Sequence, residues 1–211
     1  MALQLNVVGT TGLGSRLLLL VHGYGADEHD LAPLAPYLDP EGAFFTVCPR
    51  GPLTVEPFGG ASWYDFTDGG ADEATFEGSL IELDHAVDTA CASRGLDRSR
   101  SVWMGFSQGG SMVLALALRA SSKARPAAVA CLSGFLHEPD WLLYDWSAPD
   151  LPPIYVQHGT HDPMLPVERG RRAAERLREQ GLQVTFNEYP MQHEIRPESI
   201  TDIRAWLRSV R

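Results

Sequence analysis

The chain has 211 residues, with 17 Lys and Arg against 27 Asp and Glu, so its formal net charge is −10. That length favours a single domain over residues 1–211 with one sizeable core. This negative net charge repels a phosphate backbone, which argues against nucleic acid as a partner. The N-terminus lacks a signal peptide's basic head and apolar run, and the longest aliphatic run, residues 17–21, is too short to cross a bilayer. We therefore expect a cytoplasmic protein without stable membrane association.

Short apolar runs bounded by Gly, Pro or His predict strands along the chain. These runs are RLLLLVHG (16–23), AFFTVCPRGP (43–52), SVWMGFS (101–107), AAVACLSG (127–134), IYVQHG (154–159) and VTFNEYP (184–190). Several are apolar without alternation, as expected of strands that are covered on both faces. The opening segment LQLNVVG (3–9) is a candidate to pair with residues 16–21 through the short TTGLGS connection. Such a hairpin would give the sheet an antiparallel edge.

Segments with helical periodicity lie between these strands. They are residues 75–95, 108–120, 166–181 and 196–210. The first ends at Gly95, a typical stop signal, and the third begins with Pro166. Strands that alternate with helices predict a single-domain α/β fold, in which a mostly parallel central sheet carries helices on both faces, with no large lid domain. Ligands of such sheets bind at the carboxyl ends of the strands.

Two residue groups are weighed as metal ligands. The three cysteines, Cys48, Cys91 and Cys131, are widely spaced and form no C-x-x-C pair, which argues against a disulfide framework and a zinc site. A second group lies within LVHGYGADEHDL and comprises His22, Asp27, His29 and Asp30. It lacks the i, i+4 pairing or second cluster that zinc sites usually show. We therefore predict no metal and no organic cofactor.

The pentapeptide GFSQG (105–109) places Ser107 between the strand-like SVWM and an apolar helical segment. Strand, tight turn and helix form the context of a nucleophile elbow. Gly105 and Gly109 let the neighbouring backbones pass closely. The N-terminus of the following helix directs N–H groups and the positive end of its dipole toward the place where an oxyanion forms. The alternative is a serine that only caps a buried helix.

A serine nucleophile needs a base and an orienting acid, and hydrolases with such an elbow carry nucleophile, acid and histidine in that chain order. Asp162 follows the strand IYVQHG, and His193 follows the strand VTFNEYP. The three candidates therefore converge on one edge of the sheet. Among the rivals, His161 shares the loop of the acid and is poorly placed to be held by it, and Asp150 precedes its strand at the wrong end.

The strand RLLLLV runs into His22-Gly23-Tyr24-Gly25 and then into a predicted helix. Hydrolases with a nucleophile elbow place the second oxyanion N–H at this position. Small residues here let the backbone turn toward the nucleophile. We predict that the backbone amides of Tyr24 and Gln108 form an oxyanion hole beside Ser107.

The motifs occur in the order HGYGADEHDL, CPRGP, SWYDF, GFSQGG, LSG, QHGTHDPMLP and QHEI, over nearly the whole chain. In these motifs and their order, the sequence resembles the phospholipase/carboxylesterase family of α/β-hydrolases. That family includes small bacterial carboxylesterases and acyl-protein thioesterases. The resemblance implies catalytic roles for Ser107, Asp162 and His193, and oxyanion amides from Tyr24 and Gln108. Members usually carry an aliphatic residue in place of Tyr24, which implies a narrower pocket here.

Three apolar positions are predicted to contact the substrate. The SWYDF segment resembles a piece that lines the site, so Trp63 is a candidate acyl or alcohol contact, with an ordinary packed aromatic as the alternative. Met164 and Leu165 follow the acid and are predicted to form an apolar wall. His137 is a further candidate for the pocket wall. Residues 135–153 are read as a short acyl-facing flap, a partly buried loop or a subunit contact.

The expected function is that of a serine carboxylesterase, which hydrolyses short- to medium-chain esters of small molecules through an acyl-enzyme on Ser107. The alternative is a lysophospholipase or acyl-protein thioesterase that acts on long acyl chains. A non-catalytic binding module is a third hypothesis, against which the intact triad counts. Glutamates interleave the arginines of residues 166–181, which favours a solvated helix face over a membrane surface. A homodimer is expected from the resemblance alone.

Overall fold

The computed structural model describes residues 2–8, 15–57 and 59–210. The strands are β1 (Leu5–Val8), β2 (Arg16–Val21), β3 (Phe44–Pro49), β4 (Leu53–Val55), β5 (Gly60–Ser62), β6 (Phe66–Thr67), β7 (Gly70–Ala71), β8 (Val102–Phe106), β9 (Ala128–Leu132), β10 (Ile154–Gly159) and β11 (Val184–Tyr189). The helices are α1 (Ala35–Leu38), α2 (Glu73–Arg94), α3 (Gln108–Leu118), α4 (Val167–Glu179) and α5 (Pro197–Ser209). None of these described helices is both long enough and apolar enough to cross a membrane.

Among the described residues, seven strands form the central sheet in the order β1-β3-β2-β8-β9-β10-β11. Every neighbouring pair except β1–β3 is parallel. Two small antiparallel ribbons, β4–β5 and β6–β7, lie apart from it. Parallel strands align their carboxyl ends, so the loops after β2, β8, β10 and β11 emerge at one edge. The predicted mostly parallel α/β architecture is confirmed.

The predicted hairpin between the first two strands is wrong, although the antiparallel edge exists. β1 pairs with β3, in a register that sets Leu5 opposite Pro49. β2 instead lies between β3 and β8 and is buried along its whole length. A strand that is apolar at nearly every position gains most from an interior place in the sheet. The predicted turn falls mostly on residues 9–14, which lie outside the described residues.

Both faces of the sheet are covered by helices, as β2 illustrates. Leu17, Leu19 and Val21 belong to the core packed under α2, α3 and α4. Leu18 and Leu20 belong to the core packed under α1 and α5. Full burial of such side chains stabilises the fold by roughly 1.5–3 kcal/mol each. The need to fill two cores explains why the β2 sequence is apolar without alternation.

The segment after β2 does not continue directly into a helix, contrary to the prediction from the sequence. It forms a loop as far as Leu31, followed by a 3₁₀ turn at Ala32–Leu34 and the single turn of α1. Pro33 and Pro36 stand where a longer helix would need amide donors. A loop here allows the backbone at Tyr24 to approach the end of β8.

Candidate active site

Ser107 lies at the sharp turn between β8 and α3. Its backbone has φ 54° and ψ −119°, which is uncommon for a residue with a side chain. A Cβ on Gly105 would lie 2.2 Å from the carbonyl oxygen of Gly109, and a Cβ on Gly109 would lie 2.2 Å from that of Val21. The close approach of these backbones therefore requires both glycines. This turn has the geometry predicted for a nucleophile elbow.

Side chains from three loops form a continuous hydrogen-bond chain at the carboxyl edge of the sheet. Ser107 Oγ lies 2.9 Å from His193 Nε2, and His193 Nδ1 lies 2.6 Å from Asp162 Oδ2. The Asp162 side chain is fully buried, whereas His193 remains partly exposed. The structure thus brings together the three residues that the sequence predicts as a triad. Their catalytic roles remain predictions.

The Asp162 loop holds the carboxylate in a fixed orientation. Its Oδ1 accepts the backbone amides of Met164 and Leu165, both at 2.8 Å. Aspartate followed by proline favours such a turn, in which the side chain replaces a backbone acceptor. With Oδ1 engaged in this way, Oδ2 is directed toward His193. The same turn brings Met164 and Leu165 to the wall of the neighbouring cleft.

Tyr24, Ser107 and Gln108 all line one cleft, and a Cβ on Gly23, which precedes Tyr24, would lie 3.2 Å from Ser107 Cβ. Gln108 is the first residue of α3, so its amide has no acceptor within the helix. Among the described residues, no hydrogen bond is made by the Tyr24 amide either. Two free donors at the positive end of a buried helix suit a developing oxyanion. Their function as an oxyanion hole remains a prediction.

His22 holds the backbone on which Tyr24 lies. Its Nε2 accepts the Gly51 amide at 3.0 Å, so Nδ1 carries the proton and donates to the Gly23 carbonyl at 2.7 Å. Burial lowers the pKa of His22, which favours this neutral form.

Asp27 belongs to the group that the sequence analysis considered as metal ligands, and its side chain accepts the His29 amide at 2.8 Å. No metal-binding group of three His, Cys, Asp or Glu side chains occurs within the described part of the chain.

A cleft of about 640 Å³ opens above Ser107 and His193. Met164 and Leu165 line it, as predicted, and Met164 is 73% exposed at its rim. Tyr24 also lines the cleft and is 55% exposed, so its ring stands at the mouth. This volume lies within the range of about 300–1,000 Å³ that is typical of small-molecule sites.

Trp63 does not line the cleft, and its predicted contact with the substrate is wrong. Its side chain is completely buried in the core, and its indole Nε1 donates to the His22 carbonyl at 2.9 Å. The Trp63 amide donates to Gln108 Oε1 at 2.8 Å, while Gln108 Nε2 donates to the Tyr64 carbonyl at 2.7 Å. The alternative of a packed aromatic is therefore correct. Trp63 supports the loops of the site from behind.

Several residues that form the cleft wall were not predicted from the sequence. Tyr64 and Phe66 follow Trp63 in the SWYDF segment and line the cleft, and Trp141 joins them from the candidate flap. His137 also lines the cleft, as predicted, and its Nε2 lies 2.9 Å from the Tyr64 hydroxyl. Behind them lies the buried ring of Phe76, 4.9 Å from Tyr64 and 5.4 Å from Trp141 between ring centroids. The flap thus contributes a wall of the cleft and a partly buried loop.

A mostly parallel sheet with helices on both faces, a serine elbow and a serine–histidine–aspartate chain at its carboxyl edge define a hydrolase of the α/β-hydrolase fold. The chain belongs to the Phospholipase/Carboxylesterase family, whose family model matches residues 5–211. This match confirms the resemblance seen in the sequence.

Relatives and solved structures agree with this assignment. Acyl-protein thioesterase 1 of Gibberella zeae is 36% identical over 124 residues, which span 54% of this chain and 49% of that protein. Acyl-protein thioesterase 1 of Emericella nidulans is 30% identical, over 92% of this chain and 89% of the relative. The crystal structure of esterase PE8 covers 100% of both chains with a TM-score of 0.85 at 24% identity, which shows a shared fold.

Proposed function

We propose that this chain is a serine carboxylesterase that hydrolyses short- to medium-chain carboxylic esters through an acyl-enzyme on Ser107. The observation that carries the proposal is the hydrogen-bond chain from Ser107 Oγ through His193 to Asp162, with distances of 2.9 and 2.6 Å. A serine hydroxyl is a weak nucleophile by itself, and an adjacent imidazole held by a carboxylate activates it. This geometry supports a catalytic role over that of a binding module.

In the first step, Ser107 Oγ attacks the acyl carbon while His193 Nε2 takes the hydroxyl proton. Asp162 fixes the imidazole tautomer and stabilises the imidazolium that forms. The carbonyl oxygen becomes an oxyanion that accepts hydrogen bonds from the amides of Tyr24 and Gln108. Removal of one such donor typically costs on the order of 10²–10³ in rate. The ester C–O bond then breaks, and His193 gives the proton to the leaving alkoxide.

In the second step, water replaces the alcohol. His193 takes a proton from this water as its oxygen attacks the acyl-enzyme carbon, and the same two amides bind the second oxyanion. The bond to Ser107 breaks, and its oxygen recovers the proton from His193. The products are a carboxylic acid and a free enzyme.

The walls of the cleft support a preference for short to medium acyl chains. Tyr64, His137 and Trp141 line it, and the Phe76 ring packs against all three, with centroids 4.9 to 5.4 Å away. This closed aromatic layer limits how far an acyl chain can extend into the protein. A long chain would have to leave along the rim.

The rim itself gives a reason to keep long-chain hydrolysis as the second candidate. Tyr24, Phe66 and Met164 all line the cleft, and their side chains are 55%, 62% and 73% exposed. Exposed apolar side chains around a binding site can cover an extended acyl chain. The two fungal relatives compared above are both named acyl-protein thioesterase 1, which agrees with this alternative.

An acyl-length series tests the two candidates. Rates are measured for p-nitrophenyl esters from acetate to palmitate, with the wild type, Ser107→Ala and the control Ser121→Ala, whose serine is exposed beyond α3. A maximum at short to medium chains, lost only in Ser107→Ala, supports the carboxylesterase. A rate that rises toward palmitate favours the long-chain hydrolase. Activity that persists in Ser107→Ala refutes the acyl-enzyme, and an inactive wild type favours the binding module.

A further inference from the structure

Arg169 stands at one end of the catalytic cleft. It lies in the first turn of α4 and lines the cleft together with Ser107 and His193. Its guanidinium lies over the ring of Phe135, 4.8 Å from the centroid. Stacking on an aromatic face orients the planar guanidinium while its N–H donors remain available at the edge. The side chain is exposed, so a bound substrate can reach it.

Arg169 has no anionic partner among the described residues, although the chain has an excess of acids. Two other arginines of α4 are paired: Arg171 lies 2.7 Å from Glu188, and Arg176 lies 2.7 Å from Glu138. Within the described part of the chain, Arg172 and Arg178 form no ion pair. What distinguishes Arg169 from the other arginines of α4 is that it lines the cleft that holds Ser107 and His193.

A second hollow of about 210 Å³ adjoins the cleft, and the two share four lining residues: Phe135, Leu136, Glu138 and Arg169. Arg172, which also forms no ion pair within the described residues, lines this hollow. We call the Arg169–Arg172 pair and the hollow between them the arginine end. It lies in the first turns of α4, where the helix dipole adds positive potential.

The other titratable groups around the arginine end do not cancel its charge. Glu138 lines both spaces but is paired with Arg176, and Glu168 lies 3.2 Å from Arg171. His137 is the nearest histidine of the wall. Burial, together with the positive charge of Arg169, lowers the pKa of His137 to about 4, so the ring is neutral at pH 7. The arginine end therefore keeps a net positive charge.

We propose that the arginine end is a subsite for a carboxylate, so that the natural substrate is an ester that bears a carboxylate on its acyl or alcohol part. This inference rests on the proposed esterase function and narrows its substrate class. A guanidinium matches a carboxylate with two parallel hydrogen bonds, and a charged hydrogen bond of this kind is about twice as strong as a neutral one. The reaction at Ser107 is unchanged, because the carboxylate only positions the ester.

Matched ester pairs test the proposal and locate the carboxylate. On the acyl side, mono-p-nitrophenyl succinate, glutarate and adipate are compared with p-nitrophenyl butyrate, valerate and hexanoate. On the alcohol side, 4-carboxyphenyl butyrate is compared with 4-carbamoylphenyl butyrate. The readout is the ratio of kcat/KM for the anionic ester to that for its neutral partner. A ratio isolates the charge from effects on catalysis in general.

The variants are Arg169→Gln, Arg169→Lys and the control Arg178→Gln, which removes an exposed arginine near the other end of α4. We expect Arg169→Gln to lower the ratio of kcat/KM about tenfold, as the strength of a charge-assisted hydrogen bond implies. The fall should occur in the acyl series or in the alcohol series, whichever places its carboxylate where the natural substrate does. Arg169→Lys restores part of it, because lysine keeps the charge but loses the planar fork. Arg178→Gln leaves the ratio unchanged. Added salt lowers the ratio of the wild type, since the subsite is exposed.

The outcomes separate this inference from the proposed function. One outcome is that neutral esters are hydrolysed through Ser107, while the anionic-to-neutral ratio of kcat/KM is the same in the wild type and Arg169→Gln for both the acyl and the alcohol series. That result refutes the subsite and leaves the proposed esterase function supported. If Arg178→Gln lowers the ratio as much as Arg169→Gln, long-range charge explains the effect and the subsite is also refuted. If the wild type hydrolyses no ester of either kind, the proposed function fails and the subsite fails with it.

Discussion

His158 Nε2 lies 3.5 Å from Asp162 Oδ2, yet the two side chains do not form an ion pair. The imidazole of His158 is fully buried, and burial lowers its pKa, so the neutral ring carries its proton on Nε2. That N–H donates to the Leu165 carbonyl at 2.9 Å. His158 thereby holds the far end of the turn that contains Asp162, and it leaves Oδ2 directed at His193. This histidine therefore stabilises the loop that carries Asp162.

Replacement of Asp162 by asparagine tests the role of the carboxylate. The side-chain oxygen of the asparagine can still accept the amides of Met164 and Leu165, but its NH₂ group then faces His193 Nδ1. The imidazole must carry its proton on Nε2 and can no longer accept one from Ser107. We expect kcat to fall on the order of 10³–10⁴-fold.

The control for this change is Asp150→Asn. Asp150 lies 3.1 Å from Arg125 and precedes β10, at the edge of the sheet opposite the site. The kcat of this variant should change less than about twofold, as expected of a pair that is partly exposed. Circular dichroism checks that both variants are folded. A folded Asp162→Asn enzyme with nearly full activity would contradict the triad.

A methyl group on Gly170 should disturb the Asp162 loop through His158. A Cβ at Gly170 would lie 2.6 Å from His158 Nδ1, and the buried ring has little room to move. We expect Gly170→Ala to lower the free energy of unfolding by roughly 1–3 kcal/mol, the usual cost of overpacking. Esterase activity should fall too, because His158 supports the loop. Urea denaturation and the rate with p-nitrophenyl butyrate measure the two effects.

Gly78→Ala is the matched control. Gly78 lies on the exposed side of α2, and an added Cβ there would meet no atom within 4 Å. The same substitution should raise the free energy of unfolding by about 0.5–1 kcal/mol, because alanine favours a helix. If both variants were equally stable, packing against His158 would not limit position 170.

The serine elbow and its partners could be predicted because local signals specify them. The glycines of GFSQG indicate that backbone segments pass closely around Ser107. The sequence DPML indicates a turn in which backbone amides hold the Asp162 carboxylate. The parallel topology then brings the ends of β8, β10 and β11 to one edge. Here, turn chemistry and one rule of sheet geometry are sufficient.

Other features depend on contacts that the sequence does not reveal. In the SWYDF segment, both Trp63 and Tyr64 are buried in the core, but only Tyr64 also lines the cleft. The resemblance to the family placed this segment at the site, but it did not show which of its side chains line the cleft. Similarly, the position of Arg169 at the cleft depends on how α4 packs beside the loop after β9. Its helix pattern alone indicated a solvated face.

Gln108 offers a test of how the wall is held. Its buried side chain bonds the Trp63 amide and the Tyr64 carbonyl, while its own amide is the predicted oxyanion donor. Gln108→Met keeps the backbone donor but leaves two buried polar groups unpaired, each at a cost of about 1–3 kcal/mol. We expect lower stability and a loss of kcat/KM of roughly 10- to 100-fold, since small misplacements of a site have effects of this size.

Gln183→Met serves as the comparison, because Gln183 is exposed just before β11. It should retain both the stability and the kcat/KM of the wild type. Urea denaturation and steady-state kinetics with p-nitrophenyl butyrate provide the readouts. A Gln108→Met enzyme with wild-type stability and kinetics would show that the two hydrogen bonds are not needed to hold the wall.

His137 should make the stability of the fold depend on pH. Burial lowers its pKa to about 4, whereas the unfolded chain titrates near its ordinary value of 6.5. Between these values the unfolded state binds more protons, so stability is greatest above pH 6.5 and is lost as the pH falls toward 4. From these two pKa values, the free energy of unfolding should fall by about 2 kcal/mol between pH 7 and pH 5. Lowered pKa values at His22 and His158 add to this loss with the same sign.

Urea denaturation of the wild type and His137→Gln at pH 7, 6 and 5 measures this contribution. The difference in unfolding free energy between pH 7 and pH 5 should be smaller in His137→Gln by about 2 kcal/mol, because glutamine does not titrate. His85→Gln, which alters an exposed histidine of α2, should keep the full pH dependence of the wild type. If His137→Gln lost as much stability on acidification as the wild type, His137 would have to be protonated in the folded cleft. The arginine end would then face a third cation in addition to Arg169 and Arg172.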